Sequence, residues 1–166
     1  MHEMVIYGVS FDLVGKQPIV LLKTAEGNKF LPIWIGHPEA AAILMKLQGA
    51  TTPRPMTHDL VTDILTQLDA QVVRITVTEL RESTFYAQIT VQQNGSEVEI
   101  DSRPSDAIAL AIRAEAPIFA VDRVIEESAI EFEGEEVNEE EIVSECKRFL
   151  DHVSPDEFAV EEEDDS

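Results

Sequence analysis

Apolar and polar residues alternate at the start of the chain. From Met4 to Val14, Val5, Tyr7, Val9, Phe11 and Leu13 are interleaved with Ile6, Gly8, Ser10 and Asp12, a period of two that predicts a strand. Gly15-Lys16 supplies a turn, Ile19 to Leu22 an unbroken apolar run suited to a buried strand, and Glu26-Gly27-Asn28 a second turn. Lys29 to Ile35 is then a third strand, in which Pro32 cannot donate to a ladder and so belongs at an edge or a bulge.

At Gly36-His37-Pro38-Glu39 the period changes to that of a helix. Ala40, Ile43, Leu44 and Leu47 follow at helical spacing, and Gly49 ends the run. Thr51-Thr52-Pro53-Arg54-Pro55 is a stiff connection. Thr57 is the expected N-cap of a second helix, with Asp59 in its first turn and Leu60, Val61, Ile64, Leu65 and Leu68 as its apolar face. Strands return with Val73-Ile75-Val77 and Phe85-Ala87-Ile89-Val91. Asn94-Gly95 marks a hairpin, and the returning strand is expected to turn Val98 and Ile100 inward and Glu97, Glu99 and Asp101 outward. Arg103-Pro104-Ser105-Asp106 opens a helix to about Glu115 that is apolar nearly all round, and Ile118 to Val121 is a short buried strand.

The predicted class is therefore α/β, more closely an α+β mixed sheet. Three strands leading to a Pro-started helix occur twice, at an offset of 67 residues if Glu39 is matched to Asp106 and 66 if Pro38 is matched to Pro104. This is the pattern of a duplicated βββ-α unit, and equally of two independent β-to-α junctions.

Charge divides the chain. Residues 1–125 hold 10 basic and 15 acidic side chains; residues 126–166 hold 2 and 18, within a total net charge of −21. The expected organisation is an α/β body over 1–125 and an acidic tail over 126–166. The tail carries one amphipathic helix at about 138–150, capped by Asn138 and Glu141, with Ile142, Val143, Cys146, Phe149 and Leu150 on one face. No basic stripe is present, so tight duplex binding is disfavoured and any nucleic acid would be held weakly at a local site. The longest apolar runs are six residues, too short to span a bilayer, so no membrane partner is expected. The start of the chain lacks the pattern of a secretory signal, and Cys146 has no second cysteine to pair with. A cytoplasmic location is the expectation.

No P-loop, HExxH, GxSxG or cysteine cluster occurs. Chemistry concentrates at the helix beginnings. Arg103, Ser105 and Asp106 join a guanidinium, a hydroxyl and a carboxylate at a helix N-terminus, where backbone amides attract anions; they also make an ordinary helix start. His58 could act as general base or metal ligand, with Asp59 beside it to orient it or to share a metal; exposed capping accounts for the pair equally well. Glu39 is a partner of the helix dipole or a carboxylate aimed at a site. If it faces Asp106, the two would hold a divalent cation or share a proton.

Leu31-Pro32-Ile33-Trp34-Ile35-Gly36, Glu39-Ala40, Arg54-Pro55-Met56-Thr57-His58-Asp59-Leu60, Phe85-Tyr86-Ala87 and Arg103-Pro104-Ser105-Asp106-Ala107 together resemble the bifunctional nuclease (BFN) domain family, over roughly residues 4–125. The segment from Phe149 to Phe158 resembles the C-terminal part of actinobacterial members. Ser83 stands where relatives often have Gly. The resemblance implies an α/β domain, homo-oligomers (dimer or larger), and activity on both RNA and DNA. The roles then expected are catalytic for Glu39, His58, Asp59 and Asp106, and substrate-binding for Arg54, Arg103 and Ser105. Glu39, Asp59 and Asp106 are the expected ligands of Mg²⁺ or Mn²⁺. The competing expectation is a non-enzymatic oligomeric module that binds a protein or an anion.

Overall fold

The computed structural model describes residues 1–11 and 16–132. The unbroken apolar run at 19–22 explains the architecture best. It lies in β2 (Pro18–Thr24), paired antiparallel on one side with β1 (His2–Phe11) and on the other with β3 (Lys29–Trp34). Val20 and Leu22 point into the main core, while Ile19 and Leu21 join Phe30 in a smaller cluster with Trp34, Ile130 and Phe132 around it. Both faces of this strand are buried, so no alternation appears in its sequence.

A second antiparallel meander is built from β4 (Ala70–Arg81), β5 (Thr84–Gln93) and β6 (Ser96–Ser102). The turn between β5 and β6 places Asn94 at φ 52° and Gly95 at φ 77°, the paired positive values that favour Asn-Gly in tight hairpins. Ser83, at φ 63°, occupies a left-handed position where Gly costs nothing. β7 (Ile118–Ala120) lies between the meanders, parallel to β4 and antiparallel to β1. With β8 (Ile130–Glu131) beside β3, the order is β6-β5-β4-β7-β1-β2-β3-β8, a mixed eight-stranded sheet. β8 pairs only with Lys29 and Phe30, which leaves Pro32 on an open stretch of β3, the edge position its missing N–H demands.

The helices are α1 (His37–Leu47), α2 (Thr57–Gln67), α3 (Pro104–Ala114) and α4 (Asp122–Ser128). α3 packs against both other long helices and against β4 and β5. Its Ala107, Ala109 and Ala111 are completely buried, and these small side chains let the helix backbone approach its neighbours closely. Glu115, at φ 54°, closes it. Both Pro-started helices carry their acid at the third position after the cap, Glu39 after Gly36 and Asp106 after Arg103, so structural alignment of the caps selects the 67-residue offset.

Four expectations are corrected. The N-cap of α2 is Met56, not Thr57; the Asp59 carboxylate, three residues on, reaches back to accept the Met56 N–H at 3.0 Å, the N3 half of a capping box. Of the apolar row on α2, only Val61 and Leu65 pack on the core, while Leu60, Ile64 and Leu68 are about half exposed, because α2 is the outer helix. Val98 and Ile100 pair with Val91 and Ile89 and so share the core-facing side, yet they remain exposed because β6 is an edge strand. Folded structure also continues beyond residue 125: α4 runs on to Ser128, which is buried, and β8 joins the sheet. The strand end at 12–14 and the tail helix at 138–150 lie outside the described residues.

Candidate active site

Three helix beginnings meet at one place. α1 and α3 start where the two meanders deliver the chain, after β3 and after β6, and α2 packs across α3. The Arg103 guanidinium joins them. Its Nη2 donates to Glu39 Oε1 and its Nε to Asp106 Oδ2, both at 2.8 Å. The other Asp106 oxygen, Oδ1, lies 2.9 Å from His58 Nε2. Glu39, Arg103, Asp106 and His58 thus form one continuous chain of contacts drawn from α1, α2 and α3.

Exposure along this chain is uneven. The Arg103 side chain is 66% exposed and Asp106 31%, whereas Glu39 and His58 are 14% and 12% exposed. No hydrogen bond among the described residues uses Arg103 Nη1, so one edge of the guanidinium is available to an incoming anion. Partial burial pushes the Asp106 carboxyl upward, but hydrogen bonds from Arg103 and His58 outweigh it and leave the group below the ordinary aspartate value. Asp106 is therefore ionised near neutrality. An ionised carboxylate only accepts, so His58 donates its Nε2–H and Nδ1 becomes the basic atom of the ring. The same contacts, the one with Asp106 foremost, raise the pKa of Arg103, which stays a cation.

The remaining expected residues are placed differently. Asp59 does not orient His58. Consecutive helical residues point in different directions, and while His58 meets Asp106, Asp59 Oδ1 accepts from Arg113 Nε at 2.7 Å. Arg113 is only 6% exposed, and its two remaining nitrogens donate to the carbonyls of Ala109 and Ala42. It ties α1, α2 and α3 together at the other end of α3. This bond, followed by the one from the Met56 N–H, holds Asp59 below its usual pKa. Ser105 is buried in the first turn of α3, and Arg54 stands exposed on the connection between α1 and α2 with no side-chain partner among the described residues. His37 donates Nε2–H to the Lys16 carbonyl at 2.8 Å.

Two contributors were missed in the sequence. Arg113 follows a run of six apolar residues on a buried helix, and a guanidinium there must find acceptors; that was the available signal. Gly36 had no such signal. A side chain on it would collide with Glu39 Oε2, so the bare backbone is what admits the carboxylate.

The carboxylates expected to bind a metal do not form a vacant cage. Glu39 and Asp106 are bridged by one guanidinium and Asp59 is held by another, and among the described residues no three such side chains are arranged to hold one metal ion. No helix of the described residues is long and apolar enough to cross a membrane.

An uncharacterised protein of Mycobacterium tuberculosis is 37% identical over 164 residues, covering 95% of this chain and 98% of its own. Bifunctional nuclease 1 of Oryza sativa subsp. indica is 28% identical over 109 residues, and bifunctional nuclease 1 of Arabidopsis thaliana 29% over 105. Those matches cover 63% and 61% of this chain, but only 33% and 32% of the plant proteins. The model of the bifunctional nuclease domain matches residues 20–133, a span that holds every residue of the cluster, and the chain belongs to that family.

Proposed function

We propose that the chain hydrolyses phosphodiester bonds in RNA, DNA or both, at the cluster of Glu39, Arg103, Asp106 and His58. The observation that carries this reading is the chain of contacts from Glu39 through Arg103 and Asp106 to His58, which offers a base and a cation side by side. His58 Nδ1 takes a proton from the water that attacks phosphorus, the bond from phosphorus to the leaving oxygen breaks, and the proton passes from His58 to that oxygen; Asp106 holds the ring and balances the charge it carries in between. Arg103 meets the negative charge that develops on the non-bridging oxygens. Arg54 is the proposed outer contact to the substrate backbone. With two acids against one arginine, the cluster holds phosphate weakly, which suits a flexible single strand better than a tightly gripped duplex.

The test is cleavage of labelled single-stranded RNA and DNA by rigorously purified protein, beside Asp106→Asn and His58→Ala prepared identically. Loss of cleavage in both variants with an unchanged circular dichroism spectrum supports the reading. Equal residual cleavage in all three samples points to a contaminating nuclease and defeats it.

Self-association in the cytoplasm belongs to the same proposal. Leu60 and Ile64 on α2, Leu68 just after it, and Val98 and Ile100 on β6 are each 44–59% exposed, and among the described residues β6 is a sheet edge. Their exposed apolar area sums to on the order of 400 Å², about half of one partner's share of a standard interface. A second copy is the proposed occupant. Ile64→Glu is expected to lower the mass measured by light scattering without loss of stability; an unchanged mass removes this face from consideration.

A further inference from the structure

We infer that the Arg103 guanidinium stands in the place of a divalent cation, so that this site supplies its positive charge from the protein and works without a resident metal. For its bearing on catalysis this rests on the hydrolytic reading above; the geometry stands apart from it.

The three acids expected to bind metal have six carboxylate oxygens, and five of them accept hydrogen bonds: Glu39 Oε1, both oxygens of Asp106 and both of Asp59. The sixth, Glu39 Oε2, lies in the space a side chain on Gly36 would fill. A divalent ion such as Mg²⁺ or Mn²⁺ binds by gathering several oxygens at about 2 Å, and it would have to compete with donors for five of these six. It would also sit beside a guanidinium that cannot lose its proton, and two cations at that separation repel.

Arg103 meanwhile does what the ion would do. Its fork spans an acid from α1 and an acid from α3, holds them in fixed relation, and keeps Nη1 free for a phosphate oxygen. The difference from a metal site is in the nucleophile. A bound metal lowers the pKa of its own water; a guanidinium cannot, so the task of activating water falls to His58.

Mn²⁺ binding to the full-length protein, followed by electron paramagnetic resonance, tests this without reference to activity. The wild type and Asp106→Asn are expected to take up Mn²⁺ identically, since ions on other acidic surfaces contribute equally to both. Arg103→Met removes the guanidinium from an exposed position and frees two carboxylates. It should gain one ion, bound about tenfold or more tighter than any the wild type holds, and Arg103→Met/Asp106→Asn should lose that gain. A tight Mn²⁺ in the wild type that Asp106→Asn abolishes would overturn the inference, and so would an Arg103→Met protein that gains no ion. In a parallel assay, cleavage by the wild type should survive exhaustive chelation. Absence of cleavage under every condition would defeat the hydrolytic reading while the Mn²⁺ comparison still decides the role of Arg103.

Discussion

The two ends of α3 each carry an arginine that gathers carboxylate and carbonyl oxygens from neighbouring helices, and they differ in one physical respect. Arg103, at the beginning, is 66% exposed; Arg113, at the end, is 6% exposed. At the buried end every guanidinium nitrogen has an acceptor, one from each of α1, α2 and α3. A desolvated charge tolerates nothing less, because an unmet donor there loses its hydration without return. At the exposed end water can stand in for any partner, so Arg103 can keep one edge unengaged and release a carboxylate when an anion arrives. On the proposed reading the same residue type is a girder at one end and a working group at the other, and burial decides which.

The sharpest way to break this comparison is to remove chemistry from the open end. Asp106→Asn and His58→Ala are each expected to lower the cleavage rate by about 10²–10⁴-fold, the usual worth of a positioned acid–base group. Asp106 is 31% exposed, so the urea midpoint of Asp106→Asn should move little; His58 is 12% exposed, so His58→Ala also gives up packing and should move it more. A large fall in stability with Asp106→Asn would mean that the open end is structural after all.

The converse test is at the buried end. Arg113→Met keeps the stem and removes the charge, stranding Asp59 and two carbonyls. Asp59→Asn leaves the buried guanidinium with weakened compensation. Arg113→Met should cost about 3 kcal/mol in urea unfolding, as loss of one member of a buried pair does, and Asp59→Asn somewhat less, because Asp59 is 37% exposed. Activity per folded molecule should fall less than with Asp106→Asn. If the two ends respond alike, the distinction drawn from exposure is wrong.

How far the sequence foretold this arrangement can be judged residue by residue. Both meanders, the Asn94-Gly95 hairpin and the acids of the first helical turns follow from periods of two and of 3.6 and from cap chemistry, which are local rules. The convergence of Glu39, Arg103 and Asp106 was legible only as a conditional, since it requires the two meanders to lie in one sheet. The partner of His58 was misread: adjacency in sequence suggested Asp59, but helical geometry turns neighbouring residues apart and hands the ring to Asp106, 48 residues on. Leu60, Ile64, Leu68, Val98 and Ile100 were assigned inward because a periodic pattern records which face is apolar, and a face covered by the core looks the same as one left open at an edge.

A smaller change refines the open end further. Gly36 has φ −74°, an ordinary value, so an alanine there is not strained in its backbone. Its cost is steric and falls on Glu39, whose carboxylate must leave the place that bare backbone provides. Gly36→Ala should therefore release Glu39 from Arg103 and lower cleavage by about tenfold, the effect of losing roughly 1.4 kcal/mol of positioning. Glu39→Gln in the same background should add little further loss, since the two changes act on one contact. Additive losses would show that Gly36 acts elsewhere.

The gentlest probe is pH, because it titrates both ends at once. Asp106 and Asp59 each have a folded-state pKa below the ordinary aspartate value, the first because bonds from Arg103 and His58 overcome its burial, the second chiefly through Arg113. In the unfolded chain an aspartate protonates near 3.9. As the pH falls below that value the unfolded state takes up these protons first, so folding stability declines. The contribution of each pair is complete above about pH 5 and disappears as the pH drops through the depressed folded value. In urea unfolding between pH 6 and pH 3, the midpoint of Asp59→Asn should therefore fall less than that of the wild type. The comparison isolates Asp59, because the other carboxyls titrate alike in both proteins. At pH 3 the two midpoints should approach each other. A gap that stays constant from pH 6 to pH 3 would mean that the contact of Asp59 with Arg113 contributes through shape alone and not through charge.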